Sequence, residues 1–171
     1  MSKKQEKTNV MRILDQKKVE YNSYFYDTEE AVSGTMVASM IGKDPSCVYK
    51  TLVTIGASRQ NYVFVVPVEM ELDLKKAAKA VGEKSISMIK SKELLPLTGY
   101  VHGGCSPIGM KKRFPTVIDD TAKANGSIAV SAGRIGTQAE LSPNDLVRVT
   151  GAIFADVIQH NQTQEEDIQK W

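Results

Sequence analysis

Two neighbouring segments of this chain strongly favour β-structure. Residues 48–55 read VYKTLVTI and residues 61–68 read NYVFVVPV, and both are rich in β-branched and aromatic side chains. The segment between them, GASRQ at residues 56–60, has the small and polar composition of a hairpin loop. The sequence therefore predicts two strands joined as a hairpin.

Short helical and strand patterns follow one another irregularly along the rest of the chain. Caps indicate several helix ends: Thr8, Asp73 and Ser142 are suited to helix N-termini, and Gly82 is suited to a C-terminus. Strands outnumber helices and do not alternate with them, which predicts an α+β fold: a single domain with a mixed, largely antiparallel β-sheet flanked by helices. Helices are predicted at 8–18, 35–41, 74–81 and 142–150, and further strands at 21–26, 86–89, 116–118, 127–131, 138–141 and 152–158.

The composition is that of one globular domain. Of 171 residues, 42% are hydrophobic and 25% are charged, and no repeat or linker marks a second domain. We expect a flexible leader at residues 1–7, the domain at 8–158 and a polar tail at 159–171. The leader runs into no apolar segment, and no stretch approaches the ~18 apolar residues of a membrane span, so a cytoplasmic location is expected.

The two cysteines predict neither a disulfide scaffold nor a metal site. Cys47 and Cys105 are 58 positions apart, with no CxxC or Cys/His ligand spacing. Nucleophile-elbow, Walker and dinucleotide motifs are also missing from the sequence, which disfavours the common enzyme classes that use them. No cofactor and no metal are expected.

Basic residues are concentrated in the middle third of the chain. Residues 75–134 contain 11 basic and 4 acidic residues, although the net charge of the whole chain is only +2. Such a surface suits an anionic partner such as tRNA, because Lys and Arg on phosphates supply much of the sequence-independent affinity. A solvated lysine-rich face explains the same composition, and charge alone leaves both interpretations open.

Two features are candidates for a functional site. Lys50 lies inside the apolar strand VYKTLV, where it either carries an exposed edge charge or offers its ammonium to a substrate oxygen. The loop GGCSP, residues 103–107, either forms tight turns or lets backbone N–H groups approach a ligand and hold an oxyanion. Lys111, Lys112 and Arg113 follow that loop, where a nucleic-acid backbone could run.

Five motifs in a fixed order give the chain a specific resemblance. Together they resemble the YbaK/EbsC family of Cys-tRNA(Pro)/Cys-tRNA(Cys) deacylases, which is similar to the editing domain of bacterial prolyl-tRNA synthetases. The resemblance covers about residues 8–158, and the pairing of KT in a strand with a later GGxSP loop is more selective than either motif alone. The motifs are KTNVMRIL, VYKTLV, LKKAAKAVG, TGYVHGGCSPIGMKKRFPTVID and VSAGRIG.

The resemblance implies a pocket for the CCA end of tRNA and removal of misloaded amino acid, cysteine above all, from tRNA(Pro). It places the catalytic roles on Lys50, which would hold the terminal adenosine or its phosphate, and on Gly103, whose loop would bind the aminoacyl carbonyl. Ala132 stands where a glycine is common in the family. It implies substrate-binding roles for Tyr26, Thr51, Gly104, Ser106, Pro107, Ser131 and Gly133, and tRNA-backbone contacts for Lys111, Lys112 and Arg113.

The resemblance also implies aminoacyl-tRNA as partner, with prolyl-tRNA synthetase as a second one and no membrane. It leaves a nucleophile to be found, which is either a water or the thiol of the cysteinyl substrate. Two other functions compete with the deacylase: a thiol hydrolase in which Cys105 attacks and His102 is the base, and a non-catalytic regulator that binds aminoacyl-tRNA or a synthetase.

Overall fold

The structure is a computed structural model that describes residues 6–160, and these residues form five α-helices and eight strands. Most of the predicted leader and tail, residues 1–5 and 161–171, lies outside the described residues, and the limits of the domain stay a prediction. The helices are α1 (Asn9–Gln16), α2 (Gly34–Met40), α3 (Leu74–Val81), α4 (Ser91–Thr98) and α5 (Pro143–Thr150); the strands are β1 (Asn22–Phe25), β2 (Tyr49–Gly56), β3 (Asn61–Pro67), β4 (Ile86–Met88), β5 (Thr116–Asp119), β6 (Ile128–Ser131), β7 (Thr137–Leu141) and β8 (Ile153–Ala155).

The strands form two sheets. The larger has the order β4-β2-β3-β5-β8, with β2 antiparallel to β3 and to β4, and with β5 parallel to both β3 and β8. The smaller has the order β1-β7-β6 and is antiparallel throughout. The predicted hairpin is confirmed as β2 and β3, and the predicted α+β class with mixed, largely antiparallel pairing is confirmed. The single predicted sheet is divided into two.

One isolated bridge joins the sheets. Val48, just before β2, pairs in parallel with Ala129 of β6. Further along β2, on the same side, the neighbouring strand is β4, which pairs only with residues 54–56. Residues 49–52 therefore lie on a stretch of β2 between the bridge to the smaller sheet and the pairing with β4, since Val53 O already accepts a hydrogen bond from Ile89 N. A gap opens between the two sheets there.

Helices cover both faces of the larger sheet because its side chains alternate between two cores. On one face Val65 and Ile118 pack with Leu14 of α1 and Leu146 of α5, in a core that also contains β6 and β7 side chains. On the other face Phe64 packs with alanines of α3. The fold thus has helix layers on either side of β3 and β5, which are buried strands.

The predicted helix caps are confirmed. Thr8 Oγ1 accepts a hydrogen bond from Met11 N, and Ser142 Oγ accepts one from Asp145 N. Asp73 Oδ1 accepts from the first-turn N–H groups of α3, and Gly82 ends that helix with φ 75°. These contacts satisfy N–H groups that have no partner inside the helix.

Helix α4 is missing from the sequence-based prediction. Its N-cap position, Lys90, makes no side-chain cap, so the sequence carries no signal for a helix start. Pro96 lies inside the helix, where a proline normally predicts a break. Tertiary packing compensates, because Leu94 packs against a buried cluster that contains Val53 and Val63. Within residues 6–160, no helix is long and apolar enough to cross a membrane.

Candidate functional site

A cavity of about 270 Å³ lies in the gap between the two sheets. This volume is close to the lower end of small-ligand pockets, roughly 300–1,000 Å³. The walls come from the free edge of β2, the ends of β6 and β7, the N-terminal turn of α2, α4 and the loop before Cys105. The lining residues are Val32, Ser33, Gly34, Val37, Val48, Tyr49, Lys50, Thr51, Leu52, Val68, Leu94, His102, Gly103, Cys105, Ser131 and Gln138.

Lys50 is the cationic side chain on the cavity wall. It is about a quarter exposed, and its Nζ lies 3.8 Å from Glu71 Oε1, whose own side chain is 78% exposed. An ion pair this long with an exposed partner contributes little to stability, ~0–1 kcal/mol. The ammonium can therefore exchange this partner for an oxygen of a ligand in the cavity.

Two buried oxygen atoms on the cavity wall have no hydrogen-bond partner among the described residues. They are Thr51 Oγ1 and Gln138 Oε1. Buried polar groups are normally paired, because an unpaired one loses its hydration without compensation. Because both residues line the cavity, their side chains are candidates to pair with groups of a bound ligand. Sequence reasoning missed Gln138, although a glutamine inside the buried strand TQAEL was a usable signal.

The two glycines of the GGCSP loop are required by close packing. Gly103 has φ 87°, and a Cβ there would lie 2.5 Å from Ala31 Cβ. A Cβ on Gly104 would lie 3.0 Å from the Ile135 backbone nitrogen, and Gly104 N already donates to Val101 O at 3.0 Å. Of the two N–H groups that the sequence offered for an oxyanion, that of Gly104 is thus already occupied by a turn.

The structure brings only some of the predicted site residues to this cavity: Lys50, Thr51, Gly103 and Ser131 line it. Tyr26 packs on the Val37–Val48 cluster behind the α2 wall. Ser106 is fully buried, and its Oγ accepts a hydrogen bond from Ile108 N. Gly133 has φ 98° and faces Tyr100.

A second cavity, of about 200 Å³, lies beyond the loop. Pro107, Lys112 and Arg113 line it, so the loop and its basic continuation separate the two cavities. Lys111 is exposed next to them, and its N–H donates to Thr98 O. Two of the predicted tRNA-backbone residues, Lys112 and Arg113, therefore line a different cavity from Lys50.

Cys105 is poorly suited to act as a nucleophile. It is 9% exposed, and burial raises the pKa of its thiol to about 12. At neutral pH the thiol is protonated, whereas the thiolate is the reactive form. His102 is an exposed lining residue of the cavity, and no described residue orients it through a hydrogen bond. The geometry does not favour the thiol hydrolase.

A charged network adjoins the cavity behind Gln138. Glu140 is two residues further along β7 and is 7% exposed. Its carboxylate is 3.1 Å from Lys43 Nζ and accepts hydrogen bonds from Asn22, Tyr24 and Ser127. Desolvation by itself would raise the pKa of Glu140, but these contacts outweigh it and lower the pKa to about 2. In residues 6–160, no group of three or more His, Cys, Asp or Glu side chains could hold a metal ion.

The fold and the cavity together define a class of protein: a small α+β domain with a cavity between two sheets, lined by a lysine and a glycine loop. Residues 28–149 match the aminoacyl-tRNA editing domain family, and the chain belongs to that family. The resemblance drawn from the motifs is thereby confirmed.

Relatives agree with this assignment. A protein of Enterococcus faecalis named "Putative Cys-tRNA(Pro)/Cys-tRNA(Cys) deacylase EbsC" is 46% identical over 156 residues, which is 91% of this chain and 95% of the relative. A solved structure titled "putative trans-editing enzyme for prolyl tRNA synthetase" superimposes with a TM-score of 0.77 at 22% identity, covering 91% of this chain and all of the other. A hypothetical protein superimposes with a TM-score of 0.80 at 23% identity over 89% of this chain and all of its own. At these identities the two structural matches concern the fold.

Substitutions in the GGCSP loop separate the two enzyme hypotheses. We expect Cys105→Ala to keep most of the deacylase activity, because the thiol is a protonated, buried side chain. We expect Gly103→Ala to lose most of it, because the new Cβ collides with Ala31 and the backbone there has a positive φ. The measurement is the deacylation rate of each variant, beside its thermal unfolding curve. Inactivation by Cys105→Ala in a folded protein would instead support the thiol hydrolase.

Proposed function

We propose that this protein is a free-standing deacylase that removes misloaded amino acid, cysteine above all, from tRNA(Pro). The observation that carries the proposal is the cavity between the sheets, where Lys50, Thr51, Gly103 and Ser131 meet in a chain of the aminoacyl-tRNA editing domain family. The name of the Enterococcus faecalis relative supports the choice of substrate. A cytoplasmic location and an association with prolyl-tRNA synthetase are parts of the same proposal.

In this proposal, residues on different walls of the cavity bind different parts of the substrate. Lys50 binds an oxygen of the terminal adenosine or its phosphate, since its ammonium is held only by the long contact to Glu71. The Gly103 loop on the facing wall holds the aminoacyl carbonyl and its developing negative charge. Tyr26, Gly104, Ser106, Pro107 and Gly133 act one layer back, by shaping the walls that carry Thr51 and Ser131.

The size and lining of the cavity favour a small amino acid. At about 270 Å³ it has room for little more than a small aminoacyl group. Aliphatic side chains make up much of the wall: Val32, Val37, Val48, Leu52, Val68 and Leu94. A cysteinyl or alanyl side chain fits such an apolar chamber without leaving a polar group unpaired.

The attacking group in this proposal is the thiol of the substrate itself. Cys105 is protonated, and no lining serine is hydrogen-bonded to a histidine in the described part of the chain. The substrate sulfur would attack the ester carbonyl, the bond to the ribose oxygen would break, and that oxygen would take the thiol proton. Water would then open the resulting cyclic thioester. Holding sulfur and carbonyl in a near-attack geometry supplies much of the acceleration.

The proposal is tested by a side-by-side deacylation assay. Purified protein is incubated with labelled Cys-tRNA(Pro), Ala-tRNA(Pro) and Pro-tRNA(Pro), and release of the amino acid is followed. We expect fast release of cysteine and very slow release of proline. A protein that binds these tRNAs without releasing any amino acid would be the non-catalytic regulator instead.

A substrate series tests the role of the thiol. We expect Cys-tRNA(Pro) to be cleaved well, and S-methyl-Cys-tRNA(Pro) and Ser-tRNA(Pro) to be cleaved poorly, because methylation removes the nucleophile and a hydroxyl is a weaker one. Initial rates at equal substrate concentration give the comparison. Equal rates for the cysteinyl and S-methylcysteinyl esters would assign the attack to a bound water.

The salt dependence of tRNA binding tests the basic segment. Replacing Lys111, Lys112 and Arg113 by alanine should lower the slope of log affinity against log salt concentration by roughly one unit for each phosphate that the variant no longer binds. The control pair Arg12→Ala and Lys17→Ala removes exposed cations outside the basic middle third and should leave the slope unchanged. An unchanged slope in the triple variant would show that the segment is a solvated face.

A further inference from the structure

Gln138 combines deep burial with an unused hydrogen-bond acceptor. It is the second residue of β7, a strand in the middle of the smaller sheet, and it is paired with Tyr24 of β1 on one side and with Ser131 of β6 on the other. The residue is 5% exposed, and its Oε1 has no hydrogen-bond partner in residues 6–160. Gln138 lines the cavity, and a rotation of its side-chain amide would present this oxygen to a molecule bound there.

Among the described residues, Gln138 Oε1 is unpaired although a neighbouring side chain on the same strand is fully hydrogen-bonded. Glu140 is on the same face of β7, and its two oxygens are contacted by Asn22, Tyr24, Lys43 and Ser127. Hydrogen-bond donors therefore surround Glu140. None from residues 6–160 reaches Gln138 Oε1, although Gln138 is on the same face of β7 and lines the cavity. A carbonyl oxygen only accepts hydrogen bonds, so the group that completes Gln138 must be a donor.

We propose that Gln138 binds the α-ammonium group of the aminoacyl ester, an assignment that rests on the proposed function. The ammonium offers three N–H donors and carries a charge, which makes its hydrogen bond to a buried carbonyl a strong one. Lys50 on the β2 wall repels an ammonium and attracts the ester or phosphate oxygens. Together the two residues fix the direction of the substrate, with the amino group toward β7 and the oxygens toward β2.

This orientation makes the free amino group a condition for cleavage. An ester that lacks the group leaves Gln138 Oε1 buried and unpaired, and it also lacks the contact that holds the reacting carbonyl in place. Gln138 is thus a specificity-determining residue that touches the substrate and recognises the part common to all amino acids. The aliphatic wall of the cavity then selects among their side chains.

The test compares two substrates that differ only in the amino group. They are Cys-tRNA(Pro) and 3-mercaptopropionyl-tRNA(Pro), which keeps the thiol and lacks the α-amino group. We expect the wild-type protein to favour the cysteinyl ester in kcat/KM, and Gln138→Leu to lower kcat/KM for that ester by about 10- to 100-fold, as for a hydrogen bond to a charged group. The desamino ester should be affected far less, so the preference for the amino group disappears.

Two further variants guard against indirect effects. Gln138→Glu presents only acceptors, and we expect it to keep or increase the preference for the cysteinyl ester. Gln138→Met resembles glutamine in length and shape but lacks the carbonyl oxygen, and it should show the same selective loss on the cysteinyl ester without the branched side chain of leucine. The control Gln60→Leu, in the exposed loop between β2 and β3, should leave both rates unchanged.

The possible results separate this inference from the function on which it rests. If Gln138→Leu lowered kcat/KM equally for both esters, Gln138 would bind a group that both share, such as a ribose hydroxyl. If it lowered neither, Gln138 would have no role in binding. Either result would overturn the role of Gln138 and leave the deacylase in place. Loss of the amino-group preference in Gln138→Glu would overturn it as well, because the amide would then be acting as a donor. A wild-type protein that cleaves no aminoacyl-tRNA would overturn the proposed function, and this assignment with it.

Discussion

Lys50→Ala is expected to lower deacylation of Cys-tRNA(Pro) at least about 100-fold, the effect of removing one oriented donor from an active site. The fold should be preserved. Lys50 lies on the free edge of β2, and its ion pair with the exposed Glu71 contributes little to stability. Single-turnover rates measure the first effect, and thermal unfolding of the same preparation measures the second.

A matched substitution separates the loss of Lys50 from the loss of any positive charge. Lys79→Ala removes an exposed cation from α3, away from the cavity, and should keep the wild-type rate. Wild-type activity in a well-folded Lys50→Ala protein would contradict the assignment of Lys50, and loss of activity in both variants would point to long-range attraction of tRNA instead.

Glu140→Gln is expected to lower the free energy of unfolding at pH 7 by about 3 kcal/mol. The contacts of the carboxylate lower its pKa from 4.5 to about 2, and each unit of pKa corresponds to ~1.4 kcal/mol. The side chain is 8% exposed, so solvent screens these contacts weakly. Urea unfolding of the two proteins gives the difference, and Glu69→Gln, at an exposed position, should change it little.

The same substitution predicts a dependence on pH with a definite sign. Because the folded-state pKa of Glu140 is lowered, its stabilisation is present above about pH 4.5 and is lost as the pH falls toward 2. The wild-type protein should therefore approach the variant in stability between pH 5 and pH 3. A deficit that stays constant over this range would mean that shape, and not charge, makes Glu140 stabilising.

Local patterns predicted those parts of the fold that local physics determines. Alternation and β-branched residues located β2 and β3, and side-chain caps located the starts of α1, α3 and α5. Helix α4 was missed because its stability comes from Leu94 in a distant cluster, while Pro96 gives the local pattern of a break. The division into two sheets was also out of reach, since strand partners far apart in the chain decide it.

The candidate site was likewise predictable only in part from the sequence. Motifs predicted Lys50, Thr51, Gly103 and Ser131, which the fold brings to one cavity. Gln138 belongs to no motif, and its one sequence signal is a glutamine inside the strand TQAEL; the structure adds that its Oε1 has no hydrogen-bond partner among residues 6–160. For Gly103 the need for a glycine was predicted, but the contact that explains it is with Ala31 and not with a ligand.

Closing the gap between the two sheets would add strand pairing but remove the cavity. An open strand edge normally invites pairing, and proteins usually cover or charge it. Here the open edge of β2, residues 49–52, faces the cavity, next to Ser131 and a single bridge at Val48. A variant that extended the bridge by further pairs toward β6 would join eight strands into one continuous sheet and gain stability. It would also close the cavity, so we expect such a variant to lose deacylase activity as it gains stability.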